Sequence, residues 1–336
     1  MSRQVYQRGE GGKTYVPLES RCRILADNTP RCARMLSWKY AQMSGGAVRE
    51  DLAQNHAVHM GTKHIQRTFD QVGEVLKEKE AEWGYELPAI KEEVACIAVS
   101  CDGTTAPVRG EGFKEVMVGS ITFYDSEGER LDSIYTACAP EKDKPTFAAI
   151  FGQEIEEVKR HYPRVCYQGL ADGAAWNWNF LEPRTDVQLT DFFHASGYVA
   201  SAAEAMFRKK EERKAWLDKT AHQLKHEAGG ARAILQHMES SPQRGKEKVG
   251  KAITYFTNQL DRMDYSGFLE KKRPIGSGVT EAACKTLVNQ RLCNSGMRWH
   301  SDAIDKILMA RCLIYSSDRW KQFWNKVDRY GYNRTS

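Results

Sequence analysis

The chain has no Cys-x-x-Cys pair among its nine cysteines, Cys22, Cys32, Cys96, Cys101, Cys138, Cys166, Cys284, Cys293 and Cys312. Their odd number and scattered placement speak against a zinc ribbon or a disulfide framework. Most sit in apolar stretches such as "VACIAVSC", where a reduced cysteine behaves as a small buried hydrophobe. No apolar run approaches the roughly 18 residues needed to cross a bilayer, and "MSRQVYQRGEGGK" lacks the apolar core of a secretory signal. A cytoplasmic location is expected. Internal repeats and low-complexity tracts are lacking too. Of the 336 residues, 41% are hydrophobic, ample for a packed core and for one large domain or two to three small ones.

The net charge is only +5, but its placement is informative. Between Glu204 and Lys251 stand 12 Lys/Arg against 7 Asp/Glu, an excess equal to that of the whole chain. A basic helical region suits nucleic acid, while mixed charge on helices equally describes a solvated face. His222 and His226 share a helix face at i, i+4, without the third ligand that a metal centre needs.

Residues 29–80 read as helices: "TPRCARMLSWKYAQMS", "GGAVREDLAQNH" and "GTKHIQRTFDQVGEVLKEKEAEW". A break at Met60 and Gly61, followed by Thr62 as a cap, outlines a helix-turn-helix with Lys63, Gln66 and Arg67 near the start of the candidate recognition helix. Many helical hairpins share this outline. After Leu87-Pro88 the texture becomes extended. "EVACIAVSCDGTT" predicts a buried strand ending at Asp102; "KEVMVGSITFY" and "ERLDSIYTACA", joined by "DSEG", complete an antiparallel meander. An amphipathic helix over "TFAAIFGQEIEEVKRHY", a strand "RVCYQGLA" ending at Asp172, a short helix "AAWNWNFL" and a strand "VQLTD" ending at Asp191 follow. From Ala195 to about Arg262 apolar residues recur at three- and four-residue intervals, which predicts a wholly helical insertion. A helix from about Thr280 through Arg291 and two terminal helices close the chain.

The acids at strand ends carry the chemistry. A strand's C-terminal end lies at the rim of a sheet, so an acid there faces a crevice, and a carboxylate beside apolar strands must be solvated, hydrogen-bonded or metal-bound. Singly, Asp102 in "CDGTT" reads as an Asx-turn and Asp172 in "ADGAAW" as a helix cap. Together with a glutamate opening a late helix they form a trio able to bind two divalent ions about 4 Å apart for phosphodiester chemistry. Carboxylates suit magnesium or manganese. That glutamate, Glu281, lies in "RPIGSGVTEAACKTL". A phosphate-binding loop requires glycine directly before Lys-Thr and another five residues earlier; Cys284 and Val279 occupy those places, which excludes it. Ser277 or Thr280 as a cap, with Glu281 complementing the dipole, is compatible with a catalytic Glu281.

The motifs "SCDGTT", "VGSITF", "LADGAAWNW", "DFFHASGYV" and, above all, "PIGSGVTEAACKTLVNQRLCNSGMRW" resemble the DDE transposases of bacterial insertion sequences, in the group named after its Kra-type member and related to the Mutator-like superfamily. The resemblance runs from about Val16 to Tyr315. It implies an α/β fold with a ribonuclease-H-like core, here expected over 91–194 and 274–336, interrupted by an all-helical insertion over 195–273 and preceded by a helical DNA-binding region over 1–90. It implies Asp102, Asp172 and Glu281 as catalytic residues holding two Mg2+ ions, with Mn2+ as a substitute. The acid-x-x-histidine of the wider class falls on Asp191 and His194, an auxiliary role, although a lone histidine also reads as core. It implies double-stranded DNA partners, the element's terminal inverted repeats and the target, an oligomer of at least two copies, and a place at the bacterial nucleoid.

Candidate DNA contacts are Lys63, Gln66 and Arg67; Arg208, Lys209, Lys210, Arg213 and Lys214 in the insertion; and Lys285, Arg291, Arg298 and Trp299 near Glu281. Trp176, Trp178 and Trp299 read either as base-stacking or, beside helix starts, as core. Family members carry more sequence ahead of "GKTYVPLES", so an N-terminally shortened copy is expected. Two other classes remain open, a structure-specific nuclease and a metal-independent DNA-binding regulator derived from a transposase.

Overall fold

In the computed structural model, which describes residues 4–7, 9, 14, 16–79, 82–140 and 142–332, side-chain caps set the first helices. After α1 (Pro17–Arg21) comes α2 (Pro30–Gln42), opened by Thr29 accepting from the Cys32 amide and by proline at its first position. Ser44 caps α3 (Gly45–His56) in the same way, and Ala57, in the left-handed region at φ 51°, ends it. The turn leads into α4 (Thr62–Lys79), the expected hairpin.

Five strands form one mixed sheet: β1 (Cys96–Val108), β2 (Gly112–Tyr124), β3 (Arg130–Cys138), β4 (Cys166–Ala171) and β5 (Val187–Thr190), in the order β3-β2-β1-β4-β5. The β1–β2 and β2–β3 pairs are antiparallel, and β1–β4 and β4–β5 are parallel. The fold is therefore α/β. Helix α5 (Lys144–His161) links β3 to β4, and α6 (Ala175–Leu181) links β4 to β5. Four helices of ten residues or more, α7 (Phe192–Met206), α8 (Lys210–His226), α9 (Gly230–Ser240) and α10 (Glu247–Gln259), then a short α11 (Tyr265–Glu270), make up the helical stretch before the chain returns. It begins three residues earlier than the periodicity predicts, because Asp191 accepts from the His194 amide and caps α7.

The last segment is α12 (Gly278–Ala283), a π-helical stretch over Cys284–Asn289, α13 (Gln290–Leu292), α14 (Ser301–Tyr315) and α15 (Arg319–Tyr330). π-Helical turns are rare and concentrate at functional sites; this one follows Glu281 directly.

One expectation is corrected. β1 does not end at Asp102 but runs six residues further, as a ribbon paired with β2 through Val108↔Gly112 and bridged at its end to Trp299. Its parallel partner β4 stops at Ser100↔Leu170, so Asp102 still stands just past the rim of the parallel half. The side chains show the change. Residues 96–101 are buried on both faces, and from Asp102 to Thr105 the strand alternates half-buried and exposed.

Three apolar clusters hold the molecule. One joins α2, α3 and α4 to α14 and α15 and to β1 and β2 beyond the acid, through Leu36, Phe69, Val108, Val118, Ile307 and Phe323. A second lies between the sheet and α5 and α6, around Val99, Phe123, Phe147 and Phe151. The third packs the helical stretch against the other face of the sheet, with Leu170 and Leu189 from the strands and Val199, Leu235 and Phe256 from the helices. In α15 the buried Trp320, Phe323, Trp324 and Val327 recur at helical spacing, each worth about 1.5–3 kcal/mol on burial. A buried lysine adds register between α4 and α14: Lys306 reaches Glu74 of α4 (2.5 Å) and, within its own helix, Asp302 (2.6 Å), both partners being partly open to solvent.

Gly119 on β2 makes the packing testable. A Cβ there would lie 2.7 Å from the ring of Phe151, which is itself fully buried. Gly119→Ala is expected to destabilise by roughly 1–3 kcal/mol through overpacking, read as a lowered midpoint in urea with an unchanged slope.

Candidate active site

Asp102, Asp172 and Glu281 come from three separate parts of the chain and lie close enough for the charges of Asp172 and Glu281 to act on the Asp102 carboxyl. Burial pushes the Asp102 carboxyl above the usual carboxylate range, and the negative charges of Asp172 and Glu281 push it further in the same direction. The Gly103 amide, which donates to Asp102 Oδ1 at 2.7 Å, and the nearby His194 act against this rise. The four groups thus share one electrostatic field. The thiol of Cys284 beneath them is pushed up to about 12, by burial first and then by Asp102 and Glu281.

Asp172 is held by its own loop and by the helical stretch. Its Oδ1 accepts from the Ala174 amide and from Asn177 Nδ2, both at 3.0 Å, which leaves the helix-capping position to Ala174. From α10, the Tyr255 hydroxyl donates to the Asp172 carbonyl at 2.7 Å, and Gln259 Nε2 donates to the Gly173 carbonyl at 3.1 Å. Gln259 Oε1 accepts from the Trp178 indole at 2.8 Å.

Glu281 is exposed on α12, and the elements around it fix that helix. Ser277 makes no capping bond within the helix. Its amide (2.5 Å) and its hydroxyl (2.9 Å) both donate to Asp191 Oδ2 at the end of β5. Gln168, fully buried on β4, donates to the Pro274 carbonyl at 2.6 Å, and Thr280 shares a 2.6 Å hydrogen bond with Ser120 of β2. Thr104 of β1 donates to Asn289 at 3.3 Å. Four strands therefore grip the segment that presents the third acid.

Asp191 thus closes a clasp: one carboxylate caps α7 through the His194 amide and holds Ser277. Asp191→Ala is expected to release both segments, read as faster amide hydrogen exchange at the start of α7 and at residues 275–281 than in β1.

The donor set fits a hard divalent cation. It holds only carboxylate oxygens, and outside Asp172 Oδ1 and the single amide bond to Asp102 these oxygens have no hydrogen-bond partner among the described residues. Among the described residues, however, no three acidic, imidazole or thiol groups close on one point as a finished ligand set. Three carboxylates repel one another, and Glu281, the exposed member, stands on the helix flanked by the π-helical turn. His222 and His226 stand ring to ring at 4.9 Å on the exposed face of α8, with no third ligand among the described residues.

The candidate DNA contacts divide by burial. Lys63, Gln66 and Arg67 are exposed in the first turns of α4, Arg67 paired to Asp27 at 2.6 Å. Arg208, Lys209, Lys210 and Lys214 are exposed and Arg213 is half-buried, with Lys209 paired to Glu212 at 3.1 Å. Lys285, one turn after Glu281, is exposed, and so is Arg298, beside Trp299 at the far end of β1. Arg291 is a correction: it is buried at 1% exposure, its Nε donating to the Tyr40 carbonyl at 3.0 Å, between the rings of Tyr40 and Trp299. Desolvation lowers its pKa to about 10. Trp299 is half-buried, committed to the Leu292 carbonyl through its indole N–H (2.9 Å) and to Arg291 through its ring. Trp178 is core, and Trp176 stacks on Phe180.

Residues that carried no signal in the sequence are Gln168, Asn177, Ser277 as a clasp rather than a cap, Tyr198 and Tyr255. All but Asn177, which reaches Asp172 five residues back, act through a partner far away in the chain. No protein-family model matches the chain, and no curated protein matches it. No helix among the described residues is long and apolar enough to cross a membrane.

Proposed function

We propose that the protein is a DNA transposase of the DDE type, which cuts strands at the ends of its own element and joins the exposed 3′-hydroxyls to target DNA. The observation that carries this reading is the shared field of Asp102, Asp172 and Glu281, three acids from distant segments gathered beside one sheet. The meander β1–β2–β3 continued by parallel β4 and β5 supports a ribonuclease-H-like core, with residues 195–273 as its insertion and residues 1–90 as a DNA-binding region.

Asp102, Asp172 and Glu281 would hold magnesium or manganese, which when bound activates an attacking oxygen and stabilises the leaving oxygen of a phosphodiester. The chain's own part is orientation. Asp191, Gln168 and Thr280 hold the Glu281 helix, Tyr255 and Gln259 hold the Asp172 turn, and Gly103 holds one oxygen of Asp102. The exposed Lys285 and Arg298 supply positive charge for phosphates, and Arg208, Lys209, Lys210 and Lys214 extend it over the helical stretch, so binding should weaken steeply with salt.

The test incubates purified protein with labelled element ends, target DNA and magnesium. Metal-dependent joined products support transposition. Cleavage without joining replaces this reading with that of a nuclease, and binding without cleavage overturns both.

A further inference from the structure

Beside the acids lies a set of aromatic rings, of which only Tyr255, through its hydroxyl on the Asp172 carbonyl, has a part in the arrangement described above. Phe193, in the first turn of α7, is 67% exposed. Scattered exposed apolar side chains are ordinary, but this one is gripped. Its ring sits 3.0 Å from where a Cβ on Gly276 would stand, five residues ahead of Glu281, and meets Phe192 edge to face at 5.5 Å. His194 is exposed next to it and close enough to Asp102 to influence its charge. The His194 ring lies 5.6 Å from Tyr198 and 5.7 Å from Tyr255, and those two tyrosines stack at 4.0 Å with 13° between their planes. Tyr255 in turn abuts Gly173, beside Asp172. The rings therefore flank the acids on the sides of Glu281 and of Asp172.

We propose that Phe193, with His194 and the Tyr198–Tyr255 stack, forms a platform that holds an unpaired nucleobase next to the phosphate at the acids; this rests on the phosphodiester reading above. Every base presents a π-face, so such a platform grips an unstacked nucleotide with little regard to sequence. A base within a duplex has both faces covered and one in a blunt terminal pair is held in place by its pairing partner, so the platform favours frayed or single-stranded ends. Phe193 is the residue to test, because it is exposed, makes no polar bond and is not needed for the core.

The probes are two DNAs with the same duplex, one blunt and one ending in a short unpaired strand that carries 2-aminopurine, with calcium as the cation. The wild-type protein is expected to quench the 2-aminopurine emission by stacking and to bind the unpaired end more tightly than the blunt one. Phe193→Ala should weaken binding to the unpaired end roughly tenfold and leave the blunt duplex unchanged, and Phe193→Trp should restore the preference. Binding of both DNAs with no response to Phe193→Ala overturns the platform and leaves the proposed function standing. Binding of neither DNA overturns the proposed function, and the platform with it. Loss of self-association in Phe193→Ala, with the unpaired end bound as before, would assign the ring to a second copy of the chain and overturn the nucleobase.

Discussion

Asp102→Asn is expected to abolish metal-dependent strand chemistry while making the protein harder to melt. The loss follows from the donor set. An amide oxygen keeps the shape of the side chain and the bond from Gly103, but it removes one of the three negative charges on which the proposed cation binding depends. Lewis-acid stabilisation is worth several kcal/mol, so about a thousandfold or more of the rate should go, and Glu281→Gln should behave alike. The gain in stability follows from the raised carboxyl of Asp102, which burial and then Asp172 and Glu281 disfavour as an anion. A carboxyl whose folded pKa is raised binds its proton more tightly in the folded state. Its contribution is complete at low pH and is lost as pH rises through the folded value. At neutral pH the ionised Asp102 therefore opposes folding, and asparagine removes the opposition. The variant should melt on the order of 1–3 °C higher at pH 7, with the advantage shrinking as pH falls through the carboxylate range. Magnesium should stabilise the wild type and leave the variant's midpoint unmoved, a readout in thermal melts that is independent of turnover.

Much of the site was legible because acids in apolar surroundings are conspicuous. Asp172 follows "CYQGLA" and Glu281 enters a helix after a glycine-rich loop, and both contexts are written locally. The hairpin that carries β1 beyond Asp102 was harder to see, because "GTTAPV" alternates only weakly and its pairing with Gly112–Met117 is made by the partner strand. Asp191 was legible as an acid but not as a clasp, since Ser277 lies 86 residues away. The same limit hid Arg291. A basic side chain on a short helical run reads as solvated, and nothing nearby in sequence announces that the C-terminal carbonyls of α2 need a donor. The surroundings that turn a surface residue into a core residue come from tertiary contacts alone.

Arg311→Met is expected to have the largest effect on stability. Like Arg291, Arg311 is fully buried at 1% exposure, and its guanidinium joins three segments. Nη1 donates to the Ala41 carbonyl at 2.5 Å and to Gln42 Oε1 at 2.9 Å, and Nη2 donates to the Thr286 carbonyl. Ala41 and Gln42 end α2, whose last carbonyls have no partner within the helix and carry its negative dipole end, so a buried cation there is doubly suited. Thr286 lies in the π-helical turn behind Glu281. Methionine fills part of the volume but takes the donor away from the buried Ala41 carbonyl and from the Thr286 carbonyl, while Gln42 Oε1 keeps the Tyr315 hydroxyl at 2.8 Å; at about 1–3 kcal/mol for each group that loses its donor, a total of roughly 3–5 kcal/mol is expected, as when one side of a buried charged contact is removed. The loss should register in urea denaturation. In hydrogen exchange, the added opening should appear at the C-terminal end of α2 and at residues 284–289 before it appears in β1 or β4. If opening were instead confined to α2, Arg311 would be a helix cap alone; opening at both places would mean that the N-terminal helices and the Glu281 segment are held by one side chain, so that whatever loosens the first alters the presentation of the third acid.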